Sequence, residues 1–135
     1  MLSPTAATIR LTLHILAATI WVGGQFTLAG LLPVLRAHEG AAKQAARAFN
    51  RIAWPAFGVL VLTGMWNLAE VNVADASTSY QVTVFVKVLV AVIAGAAAAA
   101  HTAARTKVAL AIGGALGAVA SVAAVFLGVL LHTGS

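Results

Sequence analysis

Histidine and lysine side chains within long apolar stretches are the residues of this sequence best suited to chemistry. His14 and Lys87 lie inside such stretches, and His101 and His132 lie near the ends of others. An ionisable side chain inside a bilayer is costly, so each of these is a candidate functional residue. The sequence has no cysteine, which removes disulfides, iron–sulfur clusters and thiolate metal sites. Any metal chemistry therefore rests on histidine, whose neutral imidazole is a common metal ligand.

The composition explains why these residues count as intramembrane. Of the 135 residues, 61% are hydrophobic and 8% are charged, and the mean hydropathy is +1.00. A soluble domain carries about 25% charged residues, so the composition excludes a soluble globule and a disordered chain. The net charge of +5 comes from eight Lys and Arg residues, most of them between apolar runs. They indicate membrane topology rather than a nucleic-acid partner.

Four apolar segments are long enough to cross the bilayer as helices, which takes about 20 residues each. They lie near residues 9–35, 53–72, 80–103 and 108–131. Lipid offers no partners to backbone polar groups, so runs of this length must be helical. The sequence therefore predicts an all-α transmembrane four-helix bundle, in contact with the lipid bilayer and forming one integral membrane domain over residues 1–135.

The connections between the segments carry an asymmetric charge. The first and third connections hold most of the cations, whereas the second holds Asp75 and no cation; the cations are Arg36, Lys43, Arg47, Arg51, Arg105 and Lys107. Basic loops face the cytoplasm, which predicts a multi-pass protein of the cell membrane with both termini extracytoplasmic.

Within the first connection, Lys43, Arg47 and Arg51 follow an i, i+4, i+8 spacing, and small or apolar residues occupy the opposite face. This pattern predicts a short amphipathic interfacial helix between helices 1 and 2, lying on anionic headgroups. The alternative is a solvated charged linker.

Two helix faces suggest a flat cofactor. On the first predicted helix, His14 is followed by Ala17, Ala18 and then Trp21, which predicts a slot beside an imidazole. On the third predicted helix, alanines separate Lys87 from His101 and Arg105. Heme b fits both faces: His14 would ligate iron, Trp21 would line the slot, and Lys87 or Arg105 would meet the propionates. The alternatives are alanines that serve packing alone and a Lys87 that snorkels to the membrane surface.

Depth in the membrane decides which histidines can share a metal. At 1.5 Å per residue, His14 lies about 6 Å below Arg10. If Lys87 is level with His14, the 14 residues from Lys87 to His101 place His101 about 20 Å away, on the opposite side of the membrane. The fourth helix returns His132 to the side of His14, so His132 is the expected second axial ligand. His101 would belong to a separate metal site with His38.

The fourth segment also has a face of small residues, which consists of Gly113, Gly117, Ser121 and Gly128. Small faces permit close approach of helices within the membrane. Packing is the first interpretation, and a homodimer formed through this face is the expected consequence.

A set of short motifs resembles the copper-resistance D superfamily of membrane proteins and is similar to the related small heme-containing protoporphyrinogen oxidases. The motifs are the run from His14 to Gly24, Pro33, His38, Phe49, Arg51-Ile-Ala, Thr63-Gly64-Met-Trp66, Phe85-Val-Lys87 and His101, in matching order over about residues 10–105. For the oxidase relatives, the resemblance implies heme b on His14 and an activity that depends on Lys87.

The leading hypothesis is that the protein binds heme b and that the iron has a redox or gas-binding role. A redox role implies an electron-transfer partner. The alternatives are an oxidase that acts on a porphyrin and a copper-handling protein without heme; any enzyme would be an oxidoreductase. Residues 108–131 lack the Arg and the Asn-Glu pair that the oxidase resemblance implies, and Met1 and Met65 are the only soft copper ligands.

Overall fold

A computed structural model describes residues 1–134, and it consists of four long helices. They are α1 (Ala6–Arg36), α2 (Ala41–Glu70), α3 (Thr78–Ala103) and α4 (Lys107–Thr133). One 3-10 turn, Val73–Asp75, precedes α3, and no strand occurs within the described residues. Each long helix is long and apolar enough to cross a membrane. The predicted all-α class and the four membrane helices are confirmed.

The second helix differs most from its predicted bounds, because it begins at Ala41 rather than near residue 53. The stretch predicted as a separate interfacial helix forms about the first three turns of α2, and no break sets it apart. Residues 41–52 are mostly strong helix formers such as Ala, Lys, Arg and Gln, with no Gly or Pro among them. Nothing in the local sequence therefore ends the helix before it enters the apolar segment.

Local signals explain where the helices begin. Thr5 and Thr8 form a reciprocal capping box at the start of α1, in which each side chain accepts from the other residue's backbone N–H. Ser77 and Thr106 cap α3 and α4 through their hydroxyl groups. Gly40 precedes α2 with a φ of +73°, a left-handed conformation that glycine adopts without strain. The turn from α1 into α2 is therefore tight.

The chain divides into two compact units, Met1–Val71 with α1 and α2, and the part from Asn72 onward with α3 and α4. In the first unit the helices pack through small residues and one aromatic, with Ala17, Trp21, Ala53 and Ala56 buried. Many large apolar side chains elsewhere on the helices are exposed, as expected of surfaces that meet lipid.

The small-residue face of α4 packs against α3 within the second unit. A Cβ added at Gly113 would lie 3.1 Å from the Cα of His101, and one added at Gly117 would lie 3.7 Å from the Cβ of Ala97. Ser121 on the same face is also buried. Close packing of the two helices accounts for this face, so the homodimer stays a prediction without support from it.

Candidate functional site

His14 makes a specific contact across the α1–α2 pair. Its Nδ1 atom lies 2.7 Å from the Oγ1 atom of Thr63, which is 49 residues later in the sequence. The imidazole is half-buried, and Thr63 is 5% exposed. The predicted iron ligand is therefore held between two helices rather than on a single helix face.

The hydrogen bonds of Thr63 determine which imidazole nitrogen carries the proton. The Thr63 hydroxyl donates to the carbonyl oxygen of Val59 at 2.6 Å. A hydroxyl has one proton to donate, so towards His14 it acts as an acceptor. The Nδ1–H of His14 is then the donor. A second polar group fixing the tautomer in this way is typical of histidines that ligate metals.

A glycine of α2, Gly64, lies beside the imidazole. A Cβ added at Gly64 would lie 3.7 Å from the Cε1 atom of His14, which is ordinary van der Waals contact. On α1, one turn further along, Ala17 is buried. Gly64 of α2 is thus a small residue next to the imidazole, and the slot formed by Ala17 and Ala18 on α1 stays a prediction.

A polar network lies one helical turn from His14, at the end of the α1–α2 pair. The Nε of Arg10 donates to Oδ1 of Asn67 at 2.5 Å, and the guanidinium lies 5.7 Å from the centroid of the Trp66 ring. The indole N–H of Trp66 donates to the Glu70 carboxylate at 3.2 Å. The first unit therefore has a cation, Arg10, about 6 Å along the helix axis from His14.

Trp21, predicted to line a cofactor slot, packs in an aromatic cluster. It is 4% exposed, and its ring centroid lies 4.6 Å from that of Phe57 and 5.5 Å from that of Trp54. Phe57 follows Trp54 by three residues, so the two rings share one face of α2. This spacing is the sequence signal that could have indicated the cluster. Contact of Trp21 with a cofactor stays a prediction.

The helical geometry of α1 changes at Trp21. Residues Thr19–Gly23 form a π-helical turn inside an otherwise α-helical segment. The side-chain amide of Gln25 donates to the carbonyl oxygen of Trp21 at 2.9 Å. A π turn inserts one residue into the helix, so residues beyond it are rotated relative to the face that carries His14. Such turns occur frequently at functional sites.

Lys87 lies in the second unit, half-buried on α3. A Cβ added at Gly128 of α4 would lie 3.1 Å from the Nζ atom of Lys87, so the missing side chain leaves space for the amine. Asp75 is the only acidic residue from Asn72 onward. The predicted alanine groove on the same helix is partly filled, because Gly117 packs against Ala97 and Ala98.

The remaining predicted histidines have different surroundings. The Nδ1–H of His101 donates to the carbonyl oxygen of Leu110 at 2.7 Å, and its ring lies against Gly114. This contact connects α3 to the start of α4, which is sufficient reason for a histidine there. His132, in the last turn of α4, and Arg105, between α3 and α4, are exposed.

Among residues 1–134, no three or more His, Asp or Glu side chains come together in a group able to hold a metal ion. A porphyrin supplies four nitrogen ligands itself and needs only one imidazole from the protein. His14, held by Thr63, could supply such a ligand.

Comparisons of the chain with protein-family models, with curated proteins and with solved structures return no match.

Proposed function

We propose that the protein binds heme b in the membrane through His14. The observation that carries the proposal is the hydrogen bond from His14 Nδ1 to Thr63 Oγ1. It orients the ring, and a neutral imidazole bonded through Nδ1–H can ligate iron through its other ring nitrogen. Heme would supply one-electron or gas-binding chemistry at its iron.

The chain's own contribution is ligation, orientation and charge. His14 is the proposed axial ligand, and Thr63 holds its ring. Arg10 adds a cation one turn from His14.

The orientation of the chain in the membrane is proposed from the positions of its charged residues. The start of α2, with Lys43 and Arg47, faces the anionic headgroups at the cytoplasmic side of the cell membrane, and both termini are extracytoplasmic. An electron-transfer partner would meet the heme from the side of His14. A second copy of the chain is a further proposed partner.

The absorption spectrum of the purified protein tests the proposal. We expect a Soret band in the wild type, its loss in His14→Ala and its retention in His38→Ala. His38 is the matched control because it is an exposed histidine whose hydrogen bond, to the carbonyl of Val34, stays within its own part of the chain. An unchanged Soret band and full heme content in His14→Ala would rule out His14 as the ligand.

The same preparations separate the alternatives. Turnover of a porphyrinogen by the heme-loaded protein would assign an oxidase activity in addition to heme binding. Stoichiometric copper in a preparation without any Soret band would assign metal handling and reject the heme proposal. Neither alternative has an observation in the described residues that favours it over heme.

A further inference from the structure

A shallow groove runs along the outside of the α1–α2 pair. Its volume is about 460 Å³, and it is lined by eight apolar residues and one charged residue, Arg51. The apolar walls are open rather than enclosed, since Leu16 is 55% and Ile52 is 58% exposed. His14 itself does not line this groove, whereas Ala17, one turn further along α1, does.

The spacing of charges on α2 places Arg51 at one membrane surface. From Arg51 to Glu70 there are 19 residues, which corresponds to about 28 Å of helix. The hydrocarbon core is about 30 Å thick, so this spacing lets Arg51 and Glu70 lie at its two surfaces. From Arg51 the lining continues to Val59, about 12 Å deeper. The groove therefore starts at the headgroups and enters the acyl-chain region.

The charged end of the groove is strongly cationic. Lys43, Arg47 and Arg51 lie in one row on α2, and all three are exposed. The acidic residues of the first unit are Glu39 and Glu70, which are 12 and 19 residues away from Arg51 in the sequence. The planar guanidinium of an arginine matches the geometry of a phosphate better than the ammonium group of a lysine does. The groove thus combines an end suited to a phosphate with an apolar channel suited to an acyl chain.

We infer that this groove binds one anionic glycerophospholipid, with its phosphate on Arg51 and one acyl chain between α1 and α2. Arg51, the one cation in the groove lining, selects an anionic headgroup over a zwitterionic one, and the apolar walls hold the chain. The lipid is a specific occupant, distinct from the bulk lipid around the other helix surfaces.

Lipid retention measured by native mass spectrometry tests this inference. The full chain is purified in mild detergent with equal amounts of phosphatidylglycerol and phosphatidylcholine. We expect one retained phosphatidylglycerol per chain in the wild type and at least about a fivefold loss in Arg51→Gln, the effect of one basic residue at an anionic surface. Arg47→Gln is the matched control, because it removes the same charge one turn away from the groove lining.

A second variant tests the apolar part. Leu16→Trp leaves Arg51 in place but fills the groove from an exposed position, so it should also reduce retention. Equal losses in Arg47→Gln and Arg51→Gln would show diffuse surface attraction and overturn the inference. Equal retention of the two lipids would do the same. A dimer that becomes monomeric in Leu16→Trp, with no lipid retained in the wild type, would make the groove an interface between two copies instead.

Discussion

The Nδ1–H of His14 donates to the Thr63 hydroxyl over 2.7 Å, joining the first and second membrane helices at one point. Thr63 directs its own proton to the Val59 carbonyl within α2, so its role towards His14 is that of an acceptor. The bond holds the plane of the imidazole as well as its protonation pattern. Thr63 is therefore the proposed positioning residue for a ligand at His14.

Replacing Thr63 with Val tests this positioning role. Valine keeps the branched shape and removes the acceptor, so Nδ1–H loses its partner. We expect a 10–100-fold loss of heme affinity, the usual range for partners that orient a metal ligand, and a shifted Soret band. Thr63→Ser keeps a hydroxyl and should retain the wild-type spectrum. Equal behaviour of the two variants in a heme titration would show that shape, and not the hydrogen bond, is what matters.

The membrane helices could be predicted from the sequence because each apolar run is continuous and long enough to span the bilayer. The start of α2 could not, since the cationic spacing at Lys43 and Arg47 suits an interfacial helix and a helical extension equally. His14 is recognisable from the sequence because an ionisable side chain in lipid is costly and is therefore a candidate functional residue. Its partner Thr63 is not recognisable, because a buried threonine in a membrane helix usually bonds only its own backbone, and a contact 49 residues away leaves no local pattern.

For the small-residue face of α4, the sequence predicts the contact but not the helix that it contacts. The spacing of Gly113 and Gly117 predicts a close helix contact, but it does not tell which helix is met. The contact is with α3, and the residues that complete it, Ala97 and the backbone of His101, form no motif of their own. The π turn around Trp21 had no sequence signal either, because it depends on how α1 packs.

Alanine substitutions at two glycines of α4 test the packing of the second unit. A Cβ at position 113 would lie 3.1 Å from backbone atoms of His101, whereas one at position 117 would meet its nearest atom at 3.7 Å. We expect Gly113→Ala to destabilise the protein by about 1–3 kcal/mol through overpacking, and Gly117→Ala to be tolerated. Thermal unfolding in detergent measures both. A larger loss in Gly117→Ala than in Gly113→Ala would contradict the observed helix contact.

Arg10 is expected to stabilise the end of the α1–α2 pair. It bonds Asn67 and lies over the ring of Trp66, so Arg10→Met removes both interactions. Because Arg10 is half-exposed, we expect a loss of about 1 kcal/mol, seen as a lower midpoint of thermal unfolding. Arg36→Met, at an exposed position at the other end of α1, is the control and should leave the midpoint unchanged. A similar fall in both variants would indicate a general effect of charge.

The orientation of the chain is the last prediction. Four membrane helices place the two termini on the same side, so the charges of the loops decide only which side that is. The connections carrying Arg36, Arg105 and Lys107 are basic, and basic loops stay in the cytoplasm. A reporter that works only in the cytoplasm should therefore be inactive at either terminus, and a reporter that works only outside should be active at both. Replacing Arg105 and Lys107 with Gln should weaken this bias, because it removes the cations of the second basic loop. Cytoplasmic activity at both termini would reverse the orientation and move His14 to the inner half of the membrane, whereas opposite results at the two termini would mean that one of the four helices does not cross.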